Sequence, residues 1–316
     1  MQIPNLADIQ IAHERIKPFI HRTPVLCSEK INQIAECEIY FKCENFQKVG
    51  AFKYRGATNA LQSLSEAELT LGVCTHSSGN HAAALALAAQ KRNTKAYIVM
   101  PSNAPKVKID AVLSYGAEII FCEPNIQARE TTLQTIVDKY GSTFIHPFKD
   151  TRVICGQATA TIELLEETPT LGYIIVPVGG GGLLSGTSIS AKSINPNIKV
   201  IAAEPTGADD AYRSVKTGEL VASQTPNTIC DGLLTTIGEI NFEIIKQYVD
   251  DIMLADDTQI VEAMLLIWTR MKIVVEPSSA VALAIILNNK DYFRNTKIGV
   301  ILSGGNVDFS KIKSYI

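Results

Sequence analysis

Four consecutive glycines, Gly179 to Gly182, constrain the fold of this chain more than any other feature. An apolar, strand-like segment at 173–178 runs directly into them, and helical spacing follows from about Leu183. Glycines between a strand and a helix leave backbone N–H groups uncovered, and such groups can bind phosphate. The run lacks the third glycine of G-x-G-x-x-G, and Thr187 stands where a P-loop needs lysine. A phosphate that belongs to no dinucleotide is therefore the better match, with a simple turn as the alternative.

Strand-like and helical segments alternate along the chain, a pattern typical of parallel α/β proteins. Strand patterns occupy 39–41, 72–75, 96–100, 118–122, 143–146, 173–178, 200–203 and 298–302. Helical patterns occupy 6–16, 53–61, 81–89, 107–115 and 128–139. The compact alternation in the middle predicts a small domain, 72–149, inserted in a large domain formed by 1–71 and 150–316. We therefore expect two doubly wound domains, each built on a parallel sheet.

Composition and charge exclude several classes of protein. The 316 residues carry a net charge of −3, so neither a nucleic acid nor an anionic membrane is indicated as a partner. The longest apolar runs, 82–89 and 280–287, are too short to cross a bilayer. The N-terminus has neither the basic nor the apolar region of a secretory signal. Seven scattered cysteines without C-x-x-C spacing predict reduced thiols in a cytoplasmic protein.

Lys53 lies in the run GAFKYRG at 50–56. Most lysines are solvated surface residues, and position alone would favour that interpretation here. The flanking Phe52 and the small Gly50 and Gly56 would, however, allow the side chain to be buried against a flat ring. A lysine amine can form a Schiff base with an aldehyde. The cofactor that carries both an aldehyde and a phosphate is pyridoxal 5′-phosphate, so the lysine and the glycine run together predict that cofactor.

Several short motifs fall in order across nearly the whole chain. They are GAFKYRG (50–56), SSGNH (77–81), GGGG (179–182), EP (204–205), DG (231–232), EP (276–277) and SGGN (303–306). On these motifs the chain resembles fold-type II pyridoxal-phosphate enzymes, the tryptophan synthase β-like group. Within that group it resembles the serine racemase and serine/threonine dehydratase family. The resemblance implies the fold of that group and a homodimer.

The resemblance implies a set of cofactor contacts. Lys53 would bind the aldehyde, Asn80 the ring hydroxyl and Ser303 the pyridine nitrogen. The remaining cofactor residues would be Phe52, Gly179, Gly180, Gly181, Gly182, Leu183 and Gly232. A neutral serine cannot hold a full positive charge on the ring nitrogen, which favours a short-lived carbanion that loses its β-substituent.

The loop at 77–81 would bind the substrate. Alone it is typical of an N-cap turn, and His81 would more often be structural. By resemblance, Ser77, Ser78 and His81 line the site of the substrate carboxylate. Ser78 stands where serine racemases place a second acid–base group and where pure dehydratases commonly have alanine. Arg129 matches an arginine near the second carboxylate of dicarboxylic ligands, although a lone helical arginine is usually a surface residue.

An acidic segment matches the divalent-cation site of the family. Its ligands would be the carboxylates of Glu204 and Asp210 and the carbonyl of Ala208. Oxygen ligands suit Mg²⁺, Mn²⁺ or Ca²⁺. Without the resemblance, the segment would be interpreted as a solvated acidic loop.

The resemblance implies elimination of water from L-serine or L-threonine, which yields a 2-oxo acid and ammonia, together with racemisation of serine. Lys53 would act as the base at the α-carbon, and Ser78 would serve the opposite face. A threo-3-hydroxyaspartate dehydratase is an alternative on the same branch. A cysteine-synthase-like transferase and a non-catalytic protein that binds pyridoxal phosphate are the alternatives from other classes. The motifs do not rank serine, threonine and 3-hydroxyaspartate.

Overall fold

The computed structural model describes residues 2–222 and 225–312. Within them, ten strands form two sheets. The strands are β1 Val25–Leu26, β2 Glu38–Cys43, β3 Val73–His76, β4 Ala96–Pro101, β5 Glu118–Cys122, β6 Thr143–Phe144, β7 Tyr173–Pro177, β8 Lys199–Pro205, β9 Asp251–Ala255 and β10 Lys297–Leu302. The helices are α1 Leu6–Ile16, α2 Glu29–Ala35, α3 Lys53–Gln62, α4 Glu66–Leu71, α5 Asn80–Lys91, α6 Lys106–Ser114, α7 Ile126–Tyr140, α8 Thr151–Glu167, α9 Gly182–Ile194, α10 Asp210–Thr217, α11 Glu239–Tyr248, α12 Asp257–Met271, α13 Pro277–Asn288 and α14 Lys290–Phe293.

The larger sheet has the strand order β1-β2-β10-β7-β8-β9, and the smaller sheet has the order β5-β4-β3-β6. All neighbouring strands are parallel except β1, which runs antiparallel to β2. The parallel α/β architecture predicted from the alternating patterns is confirmed. The pattern missed β1, which is two residues long, and β9, which begins three residues after the end of α11.

Parallel strands that are covered by helices on both faces need apolar side chains on both faces. Strands β4 and β10 follow this rule, because β4 is buried along its whole length and β10 at every position after Lys297. Helix α13 is buried from Pro277 to Ile286, and it packs on strands of the larger sheet. Such a helix shows no amphipathic stripe because apolar neighbours surround it.

Helix α3, which begins at Lys53, is held between α5 and α8. Gly156 of α8 faces α3 so closely that a Cβ atom there would lie 2.6 Å from the Cα atom of Gly56. Glycine at this crossing therefore allows the two helix backbones to touch. Tight packing at the first turns of α3 fixes the place from which the Lys53 side chain projects.

The carboxyl ends of parallel strands meet at one edge of a sheet, where α/β proteins bind their ligands. Strand β10 ends directly before Ser303, β3 directly before Ser77, and β7 two residues before Gly179. The topology therefore brings three motifs that are distant in sequence to the strand ends of the two sheets. None of the helices in the described ranges is long and apolar enough to cross a membrane.

Candidate active site

Lys53 is the first residue of α3, and its side chain is half-buried. Its Nζ atom donates a hydrogen bond of 3.0 Å to the carbonyl oxygen of Pro147. Burial lowers the pKa of Lys53 to about 8, because the charged ammonium loses solvation. A lysine with a lowered pKa is more often the neutral amine, which is the nucleophilic form.

The backbone before Lys53 is bonded to the segment after β10. The Phe52 N–H donates to the carbonyl oxygen of Ser303 at 3.0 Å, and the Gly305 N–H donates to Gly50 at 2.9 Å. Phe52 is half-buried, and its ring centroid lies 5.2 Å from the Nζ atom of Lys53. These bonds bring the predicted ring-nitrogen partner Ser303, which is 4% exposed, beside the lysine loop.

A buried network of four charges lies two residues beyond Lys53 on α3. The Arg55 guanidinium bonds both oxygens of Glu44, at 2.7 and 2.8 Å, and both oxygens of Glu163, at 2.8 and 2.7 Å. The Lys42 ammonium also contacts Glu163, at 2.7 Å. The two positive and two negative charges balance, and each guanidinium contact has the forked geometry that strengthens such pairs. The network ties the start of α3 to the end of β2 and to α8.

The glycine run has no side chains, and its backbone lies tightly against its surroundings. A Cβ atom at Gly180 would lie 2.4 Å from the Phe148 ring, and one at Gly179 would lie 2.9 Å from the Cα atom of Leu233. Gly181 has φ +90°, a conformation that favours glycine. Helix α9 begins at Gly182, so uncovered N–H groups and the positive end of the helix dipole coincide here. This backbone fits a phosphate group.

Two more predicted cofactor residues flank this run. Leu183 is buried in the first turn of α9. Gly232 lies on the other side, since its carbonyl oxygen would be 3.1 Å from a Cβ atom at Gly179. Its N–H donates to the hydroxyl of Ser278 at 3.0 Å, which fixes the neighbouring backbone.

The loop at 77–81, which is predicted to bind the substrate carboxylate and which we call the carboxylate loop, follows β3, and Ser77 and Ser78 are half-buried in it. The Ser77 N–H donates to Val99 at 3.1 Å, which closes the end of the smaller sheet. Helix α5 begins at Asn80, and no side chain in the described part of the chain caps its N-terminus. The first N–H groups of a helix lack partners inside the helix, so they can bind a carboxylate here. The expected N-cap side chain is absent, because the cap residue is Gly79.

Asn80 uses both ends of its amide. Its Nδ2 atom lies 3.0 Å from Oε1 of Glu276, and its Oδ1 atom accepts from Asn306 at 2.9 Å. Glu276 is 4% exposed and stands at the start of α13. The structure thus joins the motifs at 77–81, 276–277 and 303–306.

His81 is buried, and its Nε2 atom lies 3.3 Å from the carbonyl oxygen of Ile145. Burial and the charge of Lys53 hold the pKa of His81 well below its usual value. Among the described residues its Nδ1 atom has no hydrogen-bond partner. His81 is therefore a neutral ring beside the carboxylate loop, with one nitrogen free.

Sequence reasoning missed the segment His146-Pro147-Phe148. The His146 Nδ1 atom accepts from the N–H groups of Phe148 and Lys149, at 3.3 and 3.1 Å. Burial lowers the pKa of His146 to about 3. The available signal was the position of this segment at the end of the strand pattern at 143–146, at the same sheet edge as the other loops.

Arg129 lies in the first turn of α7 and is half-buried. Its Nε atom is buried and has no hydrogen-bond partner within the described part of the chain. Burial, followed by the positive charge of Arg129, lowers the pKa of His76, which directly precedes the carboxylate loop. Arg129 is thus close enough to act electrostatically at the end of β3.

Glu204 lies at the end of β8, Ala208 in the 3-10 turn that follows, and Asp210 at the start of α10, and all three are buried. Glu204 accepts from the N–H groups of Ala211 and Tyr212, at 2.9 and 2.8 Å, and Asp210 accepts from Ile237 at 3.0 Å. Burial raises the pKa of Glu204 to about 8 and that of Asp210 to about 6. The interpretation as a solvated loop is wrong, because these carboxylates are inside the protein. Residues 2–222 and 225–312 contain no cluster of three or more His, Cys, Asp or Glu side chains that could hold a metal.

Comparison with known proteins agrees with this geometry. The family model described as pyridoxal-phosphate dependent enzyme matches residues 16–304. The chain is 52% identical to a serine racemase of Dictyostelium discoideum, over 100% of this chain and 99% of that protein. It is 47% identical to a β-hydroxyaspartate dehydratase of Paracoccus denitrificans, over 99% of both.

Two solved structures are similar in both sequence and fold. The crystal structure of the Dictyostelium discoideum serine racemase superposes with a TM-score of 0.94 and covers 98% of this chain and 100% of its own. The crystal structure of a T.th. threonine deaminase is 38% identical, with a TM-score of 0.93 and coverage of 97% and 99%.

Proposed function

The chain belongs to the pyridoxal-phosphate dependent enzyme family, and from that membership we propose that it eliminates water from β-hydroxy amino acids such as L-serine and L-threonine and also racemises serine. The products of elimination are a 2-oxo acid and ammonia. Full-length similarity to a serine racemase and to a threonine deaminase supports this pair of reactions.

One observation carries the proposal. Consecutive residues contact both the lysine and the glycine run: Pro147 accepts from Lys53 at 3.0 Å, and the Phe148 ring packs against Gly180. An amine of lowered pKa and a phosphate-binding backbone are thus held by a single short segment. That combination matches the two ends of pyridoxal phosphate.

The site residues are assigned on this basis. The N–H groups of Gly179, Gly180, Gly181, Gly182 and Leu183 would bind the phosphate, and Lys53 the aldehyde. Asn80 and Ser303 would bind the ring hydroxyl and nitrogen, and Phe52 and Gly232 would pack beside the ring. When bound, pyridoxal phosphate withdraws electrons from the bonds at the substrate α-carbon.

The remaining chemistry belongs to the protein. The uncovered N–H groups at the start of α5, with Ser77 and His81, would bind the α-carboxylate and orient the substrate. Lys53 would take the α-proton, for which its lowered pKa suits it near neutral pH. Ser78 would give or take a proton on the opposite face, which racemisation needs and elimination does not.

A 3-hydroxyaspartate substrate is the second candidate. The buried Nε atom of Arg129, which has no partner among the described residues, supports it, because a second carboxylate would supply an acceptor. The 47% identity to a β-hydroxyaspartate dehydratase supports it as well. Of the other site residues, Ser78 is needed only for racemisation, and the rest would serve both candidates.

A divalent cation, Mg²⁺, Mn²⁺ or Ca²⁺, would be held by Glu204, the carbonyl of Ala208 and Asp210. The support is that two buried carboxylates lie close together, while none of the described lysines or arginines forms an ion pair with either. A cation would offset the cost of burying them. Chelation should then lower the melting temperature, and the double variant Glu204→Gln/Asp210→Asn should make the protein insensitive to chelator.

We extend the proposal to the domain boundaries, the oligomeric state and the cellular location of the protein. The small domain would be 72–149, and the large domain 1–71 with 150–316. A homodimer is supported by three exposed apolar side chains, Phe46, Val274 and Phe309. A cytoplasmic location is supported by the seven cysteines, all of which are free thiols.

The decisive experiment measures 2-oxo acid release from L-serine, L-threonine and L-threo-3-hydroxyaspartate, with chiral analysis of the residual serine. Release from serine or threonine together with D-serine formation is the expected result. Release from 3-hydroxyaspartate alone would replace the first candidate by the second. Turnover of O-acetylserine with sulfide, but no oxo-acid release, would identify a transferase, and cofactor absorbance without any turnover would identify a non-catalytic protein.

A further inference from the structure

The side-chain amide of Asn80 is held at both ends by groups from other parts of the chain. Its Nδ2 atom donates to Glu276, at 3.0 Å to Oε1 and 3.4 Å to Oε2. Its Oδ1 atom accepts from Nδ2 of Asn306 at 2.9 Å. The two ends of an amide differ in chemistry, one donating and one accepting, so these partners determine which way the amide faces.

Asn306 is itself oriented by the backbone. Its Nδ2 atom also donates to the carbonyl oxygen of Val49 at 2.8 Å, so both of its N–H bonds are used. A backbone carbonyl can only accept, and it therefore fixes the donor end of Asn306 toward Val49 and Asn80. The carbonyl group of Val49 therefore fixes the orientation of the Asn306 amide, and the Asn306 amide in turn fixes the orientation of the Asn80 amide.

Glu276 faces two donors. Besides Asn80, the backbone N–H of Asn306 donates to its Oε2 atom at 3.1 Å. If the Asn80 amide were reversed, its oxygen would meet the Glu276 carboxylate, and its nitrogen would meet the nitrogen of Asn306. Both contacts would be repulsive when Glu276 is ionised, and the buried carboxylate would lose one of its donors.

The Asn80 Nδ2 atom carries two hydrogens, and only one is used by Glu276. The second hydrogen meets no acceptor among the described residues and is available to a ligand, whereas the Oδ1 atom accepts from Asn306 and has only lone pairs to offer, which a negatively charged oxygen cannot use. A ligand oxygen beside Asn80 is therefore met by a donor, as a ring oxygen with negative charge requires.

We infer that Glu276 and Asn306 are positioning residues, which hold Asn80 so that it presents an N–H group to the ring oxygen of the cofactor. This inference rests on the proposed assignment of Asn80 to the cofactor ring. Neither Glu276 nor Asn306 needs to touch the cofactor for this role. Their contribution is to exclude the reversed amide.

A double-mutant cycle with pyridoxal 5′-phosphate as the probe tests the inference. The cofactor affinity of the apoprotein is measured by absorbance titration for the native protein, Glu276→Gln, Asn80→Ala and the double variant. Glutamine keeps one acceptor oxygen but puts a donor in place of the other, so it cannot accept from both Asn80 and the Asn306 N–H, and Glu276→Gln should weaken affinity about 10-fold in the native background, close to the loss of one hydrogen bond. In the Asn80→Ala background the same change should cost less than about 2-fold, because no amide remains to be oriented.

Two further variants separate orientation from charge and from folding. Asp231→Asn removes a neighbouring negative charge that acts on Glu276 but makes no bond to Asn80, and it should have the same effect in both backgrounds. Asn306→Asp replaces the donor that meets Asn80 by an acceptor, so it should weaken cofactor affinity about 10-fold in the native background and less than about 2-fold in the Asn80→Ala background. It keeps the test available if Glu276→Gln does not fold.

The outcomes are distinguishable. Equal losses from Glu276→Gln in the two backgrounds would overturn the positioning role and leave the site assignment standing. If Asn80→Ala changes neither the affinity nor the absorbance, the assignment of Asn80 to the ring fails, and the inference fails with it.

Discussion

The Nζ atom of Lys53 lies 3.0 Å from the carbonyl oxygen of Pro147. The two residues are 94 positions apart and belong to segments that follow different sheets. Pro147 is followed by Phe148, whose ring fills the space beside Gly180 and whose backbone and Cβ atom lie beside Gly182. The lysine and the glycine run are therefore positioned by one segment that lies between the two sheets.

The lowered pKa of Lys53 predicts a pH dependence of cofactor binding. Burial of the ammonium lowers that pKa to about 8, and only the neutral amine attacks an aldehyde. The initial rate at which the apoprotein binds pyridoxal phosphate should rise as the pH increases, about tenfold per unit below pH 8, and level off above it. Stopped-flow absorbance from pH 6 to pH 10 measures this. A midpoint of the rate–pH curve near the ordinary pKa of lysine would show that burial does not lower the pKa of Lys53.

The matched variants for this prediction are Lys53→Ala and Lys91→Ala. Lys53→Ala should abolish the long-wavelength absorbance of the bound cofactor and all turnover. Lys91, an exposed residue at the end of α5, should be replaceable without effect. Retention of the absorbance in Lys53→Ala would assign the aldehyde to another lysine.

Ser78→Ala should separate racemisation from elimination. A positioned proton donor contributes about 10²–10⁴-fold in rate, so D-serine formation should fall by that factor while oxo-acid release continues. Ser77→Ala is the comparison, because a residue that binds the carboxylate affects both reactions equally. Chiral chromatography of residual serine gives the ratio. Unchanged racemisation in Ser78→Ala would assign the second face to a different group.

Gly180→Ala should weaken cofactor binding through a clash with Phe148. The added Cβ atom would lie 2.4 Å from the ring, and overpacking of this kind costs about 1–3 kcal/mol. Combining it with Phe148→Ala should recover part of the affinity by making space. Gly172→Ala is the control, since its Cβ atom would meet only ordinary contact, at 3.7 Å. A Gly180→Ala protein with native affinity and thermal stability would show that the ring can move aside.

Arg55→Met should destabilise the protein strongly. It removes one charge from a buried network and leaves Glu44 without its guanidinium partner, which typically costs about 3–5 kcal/mol. Arg22, which pairs with Glu166 on the surface at 2.8 Å, is the control, and Arg22→Ala should cost about 1 kcal/mol or less. Urea denaturation gives both values. If the two variants lose similar amounts of unfolding free energy, groups other than Arg55 compensate the buried charges of the two glutamates.

Local patterns were sufficient to predict much of this protein. The strand bounds of β5 and the helix bounds of α1 coincide with the predicted 118–122 and 6–16. Periodicity and capping depend on residues that are neighbours in sequence, and for that reason the sequence alone can predict them. The family and the fold class, predicted from motifs in order, are confirmed, whereas the roles of the individual site residues stay predictions.

Other features depend on residues that are far apart in sequence. The bond between Asn80 and Glu276 spans 196 residues, and no local pattern encodes it. The burial of Glu204 and Asp210 also depends on distant residues, and the local sequence alone indicated a solvated loop. The missed contact of Pro147 with Lys53 is of this kind as well.

The sequence by itself determined which chemical groups this protein has and the order in which strands and helices follow one another, because these depend on residue type and spacing. Only the tertiary structure decided which of those groups meet, how far each is removed from water, and hence which lysine has a lowered pKa and which amide faces which way. Solvation and hydrogen-bond direction are set by neighbours in space, and parallel sheets take those neighbours from distant parts of the chain.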